Sequence, residues 1–415
     1  MIPGERAGGL RMNNVLPPER SAPLRVGVDA CSWINERGYG RFTRELLTAM
    51  VARSPDVEFT FFVDQWAQAS IELAAANVRV VCVDQKAAPT RAAAADGYRS
   101  PFDMLRLTRA IWRSPIDVFF SPSVYTYFPL PPRVPAVIAI HDAIAEKFPD
   151  LTLPTFRARL FWNAKVRLAV WQARLILTVS EYSARDLASV LKIPAQRIRV
   201  ATEAPSALYR PSDSREQISE AAAAIGLPRG SRWILYVGGF NPHKHVDLIV
   251  KAHAASLDLH GDSPLYLVLV GDAARDVFHA DVEKIRKAIS DAGTGRLIIW
   301  AGFVPDERLR HLHSGALALL LPSACEGFGL PAVEAAACGT PVIATTESPL
   351  PELLEGGGIF VRPGHEEDLV NAVRAMLKDE PARVKMGEIA RSRTGKLSWE
   401  RSAGIAMQTL REAAG

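Results

Sequence analysis

The stretch LLLPSACEGFGLPAVEAAACGTPVIATT, Leu319–Thr346, reads in turn as strand, loop, helix and strand. Leu317–Leu321 is a short apolar run of the kind that forms a buried parallel strand. Pro322–Gly329 is loop, and its two glycines allow backbone to approach a ligand closely. Pro331 fits the first turn of a helix, where a missing N–H costs nothing, and Gly339 fits its C-terminal cap. Pro341–Ala344 opens the next strand. Glu326 sits in the loop and Glu334 about a turn into the helix. Between them lie a glycine-rich turn and a helix N-terminus, whose free N–H groups and positive dipole end attract phosphate. A carboxylate accepts paired sugar hydroxyls, so the spacing predicts a nucleotide-sugar site. Two solvated glutamates on an ordinary βαβ turn would share that spacing. The Gly327-Phe328-Gly329-Leu330-Pro331 filling favours the ligand-binding reading.

Upstream of this stretch the same rhythm repeats. Trp233–Val237 reads as a strand, followed by the loop Gly238-Gly239-Phe240-Asn241-Pro242-His243-Lys244 and a helix over Val246–Ala255. Leu265–Val270 is a further strand, then a helix over Val277–Asp291, then Leu297–Trp300 leading into Gly302-Phe303-Val304.

The first half alternates similarly. Strands are expected at Leu24–Asp29, Val57–Val63, Val78–Val83, Ile116–Phe120, Val137–Ile140 and Leu175–Val179. After the first strand, Gly38 and Gly40 are read as a turn before a helix striped by Phe42, Leu46, Leu47 and Met50. The G-x-G serves equally as a structural turn, and Arg41 equally as a solvated helix charge. His141-Asp142 closes a strand, at the end where open α/β sheets bind ligands; a loop-capping histidine is an even alternative. Ser180 suits a helix cap. Strands alternating with helices in both halves predict an α/β chain of two doubly wound parallel-sheet domains with a ligand between them.

Residues 151–175 carry Arg157, Arg159, Lys165, Arg167 and Arg174 interleaved with Phe156, Leu160, Phe161, Val166, Leu168 and Trp171, with no acid from Leu151 to Ser180. Two readings stand: a basic amphipathic helix on an anionic membrane surface, or a core-packing helix with a solvated basic face.

With 415 residues, two domains are expected. A net charge of +4 without dense basic blocks gives no case for nucleic acid. The four cysteines, Cys31, Cys82, Cys325 and Cys338, form no C-x-x-C, which fits reduced thiols in a cytoplasm and no metal site. No apolar run reaches the roughly 18 residues of a membrane-spanning helix. The first residues lack the apolar core of a signal peptide and read as a loose tail. The expected location is cytoplasmic, with peripheral contact at the inner face of the membrane if 151–175 rests there.

From Leu24 onward the sequence resembles the family-4 retaining glycosyltransferases of the GT-B fold, mannosyltransferase-like subgroup. The resemblance is carried by E-x(7)-E from Glu326 to Glu334 with GFGLP inside it, and by GYGRFTREL, IHD, TVSEYS, YVGGFNPHK, AGFVPDERL and the late Trp399-Glu400. It implies a flexible tail at 1–22, an acceptor-binding Rossmann-like domain at 23–208 and a linker region at 209–230. A nucleotide-sugar-binding Rossmann-like domain at 231–395 and a C-terminal helix at 396–415 crossing back to the first domain complete the expected plan.

The resemblance also implies roles. Glu334 would hold the ribose hydroxyls, and Glu326 the donor sugar's hydroxyls, helped by Gly327 and the N–H groups of Phe328 and Gly329. Leu330 would give its N–H to the diphosphate, and Lys244 would neutralise the leaving group. Gly302, Phe303 and Val304 would lie against the base, and His141 would face the transferred sugar. Gly38, Gly40 and Arg41 would form a loop near the phosphates and acceptor. Many relatives carry an arginine where Gly239 stands, so a second cation is missing there, with His243, Arg41 or the helix dipole as stand-ins, or with leaving-group stabilisation resting on Lys244 alone. The implied activity is metal-independent transfer of a hexose, with GDP-mannose first among donors, to a glycan or lipid-linked acceptor in cell-surface polysaccharide synthesis. A UDP-sugar transferase, a nucleotide-sugar epimerase on the same fold and a non-catalytic partner subunit are the alternatives.

Overall fold

In the first half, alternate residues of the strands divide between two cores. Val26, Val28, Val118, Phe120, Val137, Ala139, Leu175 and Leu177 pack on one face; Phe62, Phe119, Ala136, Ile138 and Ile176 pack on the other. Burial on both faces is why these strands read as continuous apolar runs. The computed structural model describes residues 22–36, 38–71, 73, 75–86, 100–153, 155–259, 263–272 and 281–415. The expected tail, save Ala22, lies outside them, as do positions 277–280 of the helix expected over Val277–Asp291, which here runs Val282–Ala292.

The first sheet has seven parallel strands: β1 (Leu24–Asp29), β2 (Val57–Val63), β3 (Val78–Cys82), β4 (Val118–Ser121), β5 (Ala136–Ala139), β6 (Leu175–Thr178) and β7 (Ile198–Val200), in the order β3-β2-β1-β4-β5-β6-β7. The second has six: β8 (Arg232–Val237), β9 (Leu265–Val270), β10 (Ile298–Gly302), β11 (Leu319–Leu321), β12 (Val342–Thr345) and β13 (Gly358–Val361), in the order β10-β9-β8-β11-β12-β13. Both orders reverse direction once, between β1 and β4 and between β8 and β11. Such a switch point leaves a crevice beyond the carboxyl ends of the strands. The two Rossmann-like sheets face each other across a cleft, which is the GT-B fold.

Gly38 and Gly40 form no separate turn: they occupy the first turn of the helix Gly38–Arg53. A Cβ on Gly40 would lie 1.9 Å from the Asn35 carbonyl oxygen. Close backbone approach requires a glycine at that position.

Residues 209–230 are more than a connection. Their helix Arg215–Ala224 packs on Asp306–Gly315 of the second domain. The last helix, Trp399–Ala414, packs against Gly38–Arg53 of the first domain. Trp399 meets Phe42 edge-on at 5.9 Å, a contact of about 0.5–1.5 kcal/mol beyond area burial. Arg174 donates to the Ala413 carbonyl at 3.1 Å, and Arg199 Nε donates to Glu412 at 3.2 Å. The chain therefore crosses between the domains twice.

The basic stretch forms a helix over Phe156–Gln172 that buries only Ala158, Val166 and Ala169. Phe156, Leu160, Phe161 and Trp171 are exposed, with Trp171 at 76%. Val166 and Ala169 join the second of the two cores, with Trp162, Leu168 and Val170 packed against it, so one face of the helix packs on the core and the other carries aromatic and basic side chains in solvent. The helix Pro101–Trp112 contributes Leu107 and Ile111 to the same core and likewise exposes Phe102, Leu105 and Trp112.

Candidate active site

Each switch point sends two loops into the cleft. From β8 comes Gly238–His245, ending in a short 3-10 turn, Pro242–Lys244. From β11 comes Pro322–Gly329, ending at the helix Leu330–Ala337. The loops are tied together: Ala324 N donates to the His243 carbonyl at 2.7 Å, and the His245 ring is 3.2 Å from the Pro322 carbonyl. Gly329 adopts φ +86° as the residue before the helix, a left-handed turn that glycine takes without strain. A Cβ there would also strike the side chain of Leu350 at 2.7 Å.

This geometry brings Lys244 and Glu326 together. Lys244 Nζ lies 2.7 Å from Glu326 Oε1, which also accepts from Ser323 Oγ at 2.6 Å. Both side chains are largely sheltered, at 18% and 10% exposure. Glu334 lies deeper, on the face of its helix that closes the cleft floor. Burial pushes its carboxyl up to about 7, and Arg41 pulls the other way.

The first domain supplies the opposite wall. His141 follows β5, and its Nε2 is 3.0 Å from the Pro122 carbonyl. A carbonyl only accepts, so Nε2 carries the proton and Nδ1 is the bare nitrogen. Burial lowers the imidazole to about 4, against the pull of that carbonyl, so it is neutral at physiological pH. Phe42 packs edge-on against the ring at 4.5 Å.

The walls touch. Ser180 Oγ and Ser183 Oγ donate to the Gly327 carbonyl at 2.6 and 2.9 Å. A Cβ on Gly327 would sit 2.8 Å from the His141 carbonyl oxygen and 2.9 Å from Asp142 Cβ. Tyr182 donates to Glu347 at 2.9 Å across the same seam. On the other side Arg41 bonds Glu334 Oε1 and holds both oxygens of Asp306, at 2.7 and 2.8 Å. Tyr209 donates to Asp306 at 2.9 Å and lies under the Arg41 guanidinium. Burial would lower Arg41, but Glu334, Tyr209 and Asp306 hold it above its ordinary range.

The cleft between the walls has a volume of roughly 740 Å³. Of the residues expected at the site, Gly38, Arg41, His141, Gly239, Lys244, Phe303, Val304, Glu326, Gly327, Phe328, Gly329, Leu330 and Glu334 line it; Gly40 and Gly302 do not. Gly302 instead takes φ +64°, and its carbonyl accepts from Gly271 N at 3.0 Å, an edge-of-sheet role. Arg41, expected near phosphate, is bound to carboxylates of the second domain.

Other cleft residues escaped the reading of the sequence. Glu203, just after β7, is buried in the floor and pushed up to about 8 by burial, with Glu334 adding to the shift. Tyr39 stacks on Tyr125 at 5.1 Å, and Tyr125 meets Trp162 at 5.2 Å, giving the first domain an aromatic wall. Asp306 lay within AGFVPDERL and Ser180 and Ser183 within TVSEYS, so the motifs held a signal for those three. Among the described residues no group of three His, Cys, Asp or Glu side chains is placed to hold a metal, and no helix is long and apolar enough to cross a membrane.

The comparisons with known proteins fall on both halves. Residues 217–393 match the family described as Glycosyl transferases group 1, and residues 37–202 match Glycosyltransferase Family 4. By sequence and by fold, the chain is related to the GT-B glycosyltransferases. D-inositol 3-phosphate glycosyltransferase of Corynebacterium jeikeium is 32% identical over 181 residues, 43% of either chain, so less than half of that relative is spanned. O-antigen chain mannosyltransferase B of Escherichia coli is 29% identical over 290 residues, 68% of this chain and 71% of that one. Among solved GT-B structures, sucrose-phosphate synthase of Thermosynechococcus elongatus has a TM-score of 0.72 at 19% identity, covering 94% of this chain and 98% of that one. HepE of Anabaena, in complex with UDP and glucose, has a TM-score of 0.71 at 18% identity, covering 94% and 100%. At such identity the structures speak for the fold. The matches to glycosyltransferase enzymes on both halves support catalytic activity.

Proposed function

We propose that this chain is a retaining glycosyltransferase that moves a hexose from a nucleotide sugar, GDP-mannose first among donors, to a glycan or lipid-linked acceptor in cell-surface polysaccharide synthesis. The observation that carries the reading is the meeting of Lys244 and Glu326 beside the N-terminus of Leu330–Ala337, opposite His141. Departure of a nucleoside diphosphate builds negative charge on the phosphate and positive charge on the anomeric carbon. Lys244 and the backbone at Phe328–Leu330 face the phosphate and stabilise that charge more than the ground state. This cation and the helix dipole supply what a divalent ion would, so the reaction runs without metal. Glu326 holds hydroxyls of the sugar, Glu334 those of the ribose, and Phe303 and Val304 flank the base. His141 is neutral and holds its imidazole against the sugar as a positioning group.

The acceptor enters along the first domain, past Tyr39, Tyr125 and Trp162. Aromatic side chains exposed among basic ones on Phe156–Gln172 suit an anionic bilayer, where their rings sit at headgroup level. A lipid-linked acceptor would be met at that surface, on the inner face of the membrane. The O-antigen mannosyltransferase, matched over 68% of this chain, is the support for mannose. The UDP and glucose of the HepE complex favour the second reading, a UDP-sugar transferase.

Calorimetry with GDP, UDP, ADP and their sugars in excess EDTA tests the proposal. Binding of GDP and GDP-mannose alone is expected. A preference for UDP moves the donor to a UDP-sugar, and dependence on added magnesium overturns the metal-free mechanism.

A further inference from the structure

Arg41 stands on the first domain, yet its polar partners Glu334 and Asp306 stand on the second, 293 and 265 residues away in sequence. The guanidinium is planar, with Nη2 forked over Asp306 at 2.7 and 2.8 Å and Nη1 bonded to Glu334 Oε1 and, at 3.2 Å, to the Tyr209 hydroxyl. Asp306 thus anchors the arginine, which in turn fixes one oxygen of Glu334. The side chain is only 15% exposed and Glu334 only 4%, so the bond is sheltered from solvent screening.

We propose that Arg41 is the positioning residue for the donor's ribose: it holds Glu334 ionised and oriented, from the opposite domain, so that nucleotide binding depends on domain closure. This deepens the proposed function and rests on Glu334 being the ribose-binding carboxylate. With Oε1 held by Arg41, Oε2 is the atom that takes the ribose hydroxyls. A protonated carboxyl would lose that acceptor capacity. Burial drives Glu334 toward the neutral acid, at about 7, even with Arg41 in place. The charged and titratable groups facing Glu334 are Arg41 and Glu45 on Gly38–Arg53, Asp306 on the second domain, Tyr209 on the connection, Glu203 after β7 and Cys338 on its own helix. Arg41 is the cation of this set. Glu45, Asp306 and Glu203 all work against ionisation.

In the open state Arg41 leaves with the first domain, and Glu334 loses the cation that fixes its Oε1. Closure returns the arginine and presents the buried carboxylate ionised and oriented. Donor affinity and closure are then one equilibrium.

The test is calorimetric affinity for GDP, or for whichever of GDP, UDP and ADP the protein binds, between pH 6 and 9. Wild type, Arg41→Gln, Arg41→Lys, Glu334→Gln and the Arg41→Gln/Glu334→Gln double variant are compared, each checked by circular dichroism. Wild-type affinity is expected to climb through pH about 7 and level off above it. Arg41→Gln removes the group that lowers Glu334, so its climb moves to higher pH. A displacement of about one unit weakens binding roughly tenfold on the climbing limb. Arg41→Lys restores the charge and returns the profile toward wild type. On the Glu334→Gln background the Arg41 effect disappears. A wild-type profile in folded Arg41→Gln overturns the inference and leaves the proposed function standing. Tighter binding by Arg41→Gln also overturns it, since the arginine would then be blocking Glu334. Failure of wild type to bind any nucleoside diphosphate sinks the proposed function, and this inference with it.

Discussion

Lys244 and Glu326, 82 residues apart in sequence, are bound to each other at 2.7 Å. The cation assigned to the leaving phosphate and the carboxylate assigned to the sugar thus form a single preorganised pair. Neither is left as a lone sheltered charge, which would cost several kcal/mol. A diphosphate arriving beside Lys244 shares the cation rather than having to create its place.

Replacing Lys244 with alanine is expected to lower transfer by about two orders of magnitude or more, in line with loss of a charge-stabilising donor at a developing anion. Glu326 keeps Ser323 as a partner at 2.6 Å, so the fold survives. Steady-state transfer alongside circular dichroism checks this. Normal turnover by a folded Lys244→Ala protein would remove the lysine from the mechanism.

Gly327→Ala attacks closure rather than chemistry. The new methyl would stand 2.8 Å from the His141 carbonyl oxygen and 2.9 Å from Asp142 Cβ, so the domains must part. Misplacement of reacting groups by about 1 Å costs on the order of a hundredfold in rate. A large fall in kcat with unchanged circular dichroism is expected; wild-type kcat would mean that the seam at Gly327 is dispensable.

The exposed faces of Phe156–Gln172 and Pro101–Trp112 lie over one core and combine Arg157, Arg167, Arg106 and Arg109 with Phe156, Phe161, Trp171, Phe102 and Trp112. The one acid on the two helices, Asp103, is buried. Each Lys or Arg near an anionic bilayer contributes about 1 kcal/mol. The variant Arg157→Gln/Arg167→Gln is therefore expected to lower partitioning onto phosphatidylserine vesicles by tenfold or more, with turnover on a water-soluble acceptor unchanged. Equal flotation of the variant and wild type would count against membrane docking.

The strands were legible because a parallel strand covered on both faces is a continuous apolar run, as at Leu319–Leu321 and Leu265–Val270. The donor loop was legible because its constraints are local: Pro331 and Gly329 sit at fixed offsets from the helix they start. Arg41 was placed at the site by the resemblance, but its carboxylate partners were not legible, since they lie far along the chain and a lone arginine in a first helical turn resembles any solvated charge. Gly38 and Gly40 misled for a related reason. A glycine needed for close packing on Asn35 and one needed for a turn look alike in sequence. The exposure of Phe161 and Trp171 was equally hidden, because helical periodicity records which residues share a face and not which face is covered.

The double crossing between the domains, once after β7 and again between Thr394 and Trp399, has a mechanical consequence. A panel hung on one pin can twist and slide; hung on two, it swings about a single axis. With the last helix fastened to Gly38–Arg53, the cleft can gape, but sideways slip of one lip along the other is resisted. Every swing shut then delivers Arg41 to the same carboxylates and Gly327 to the same two serines. Alignment is built into the frame and need not be recovered by search at each catalytic cycle.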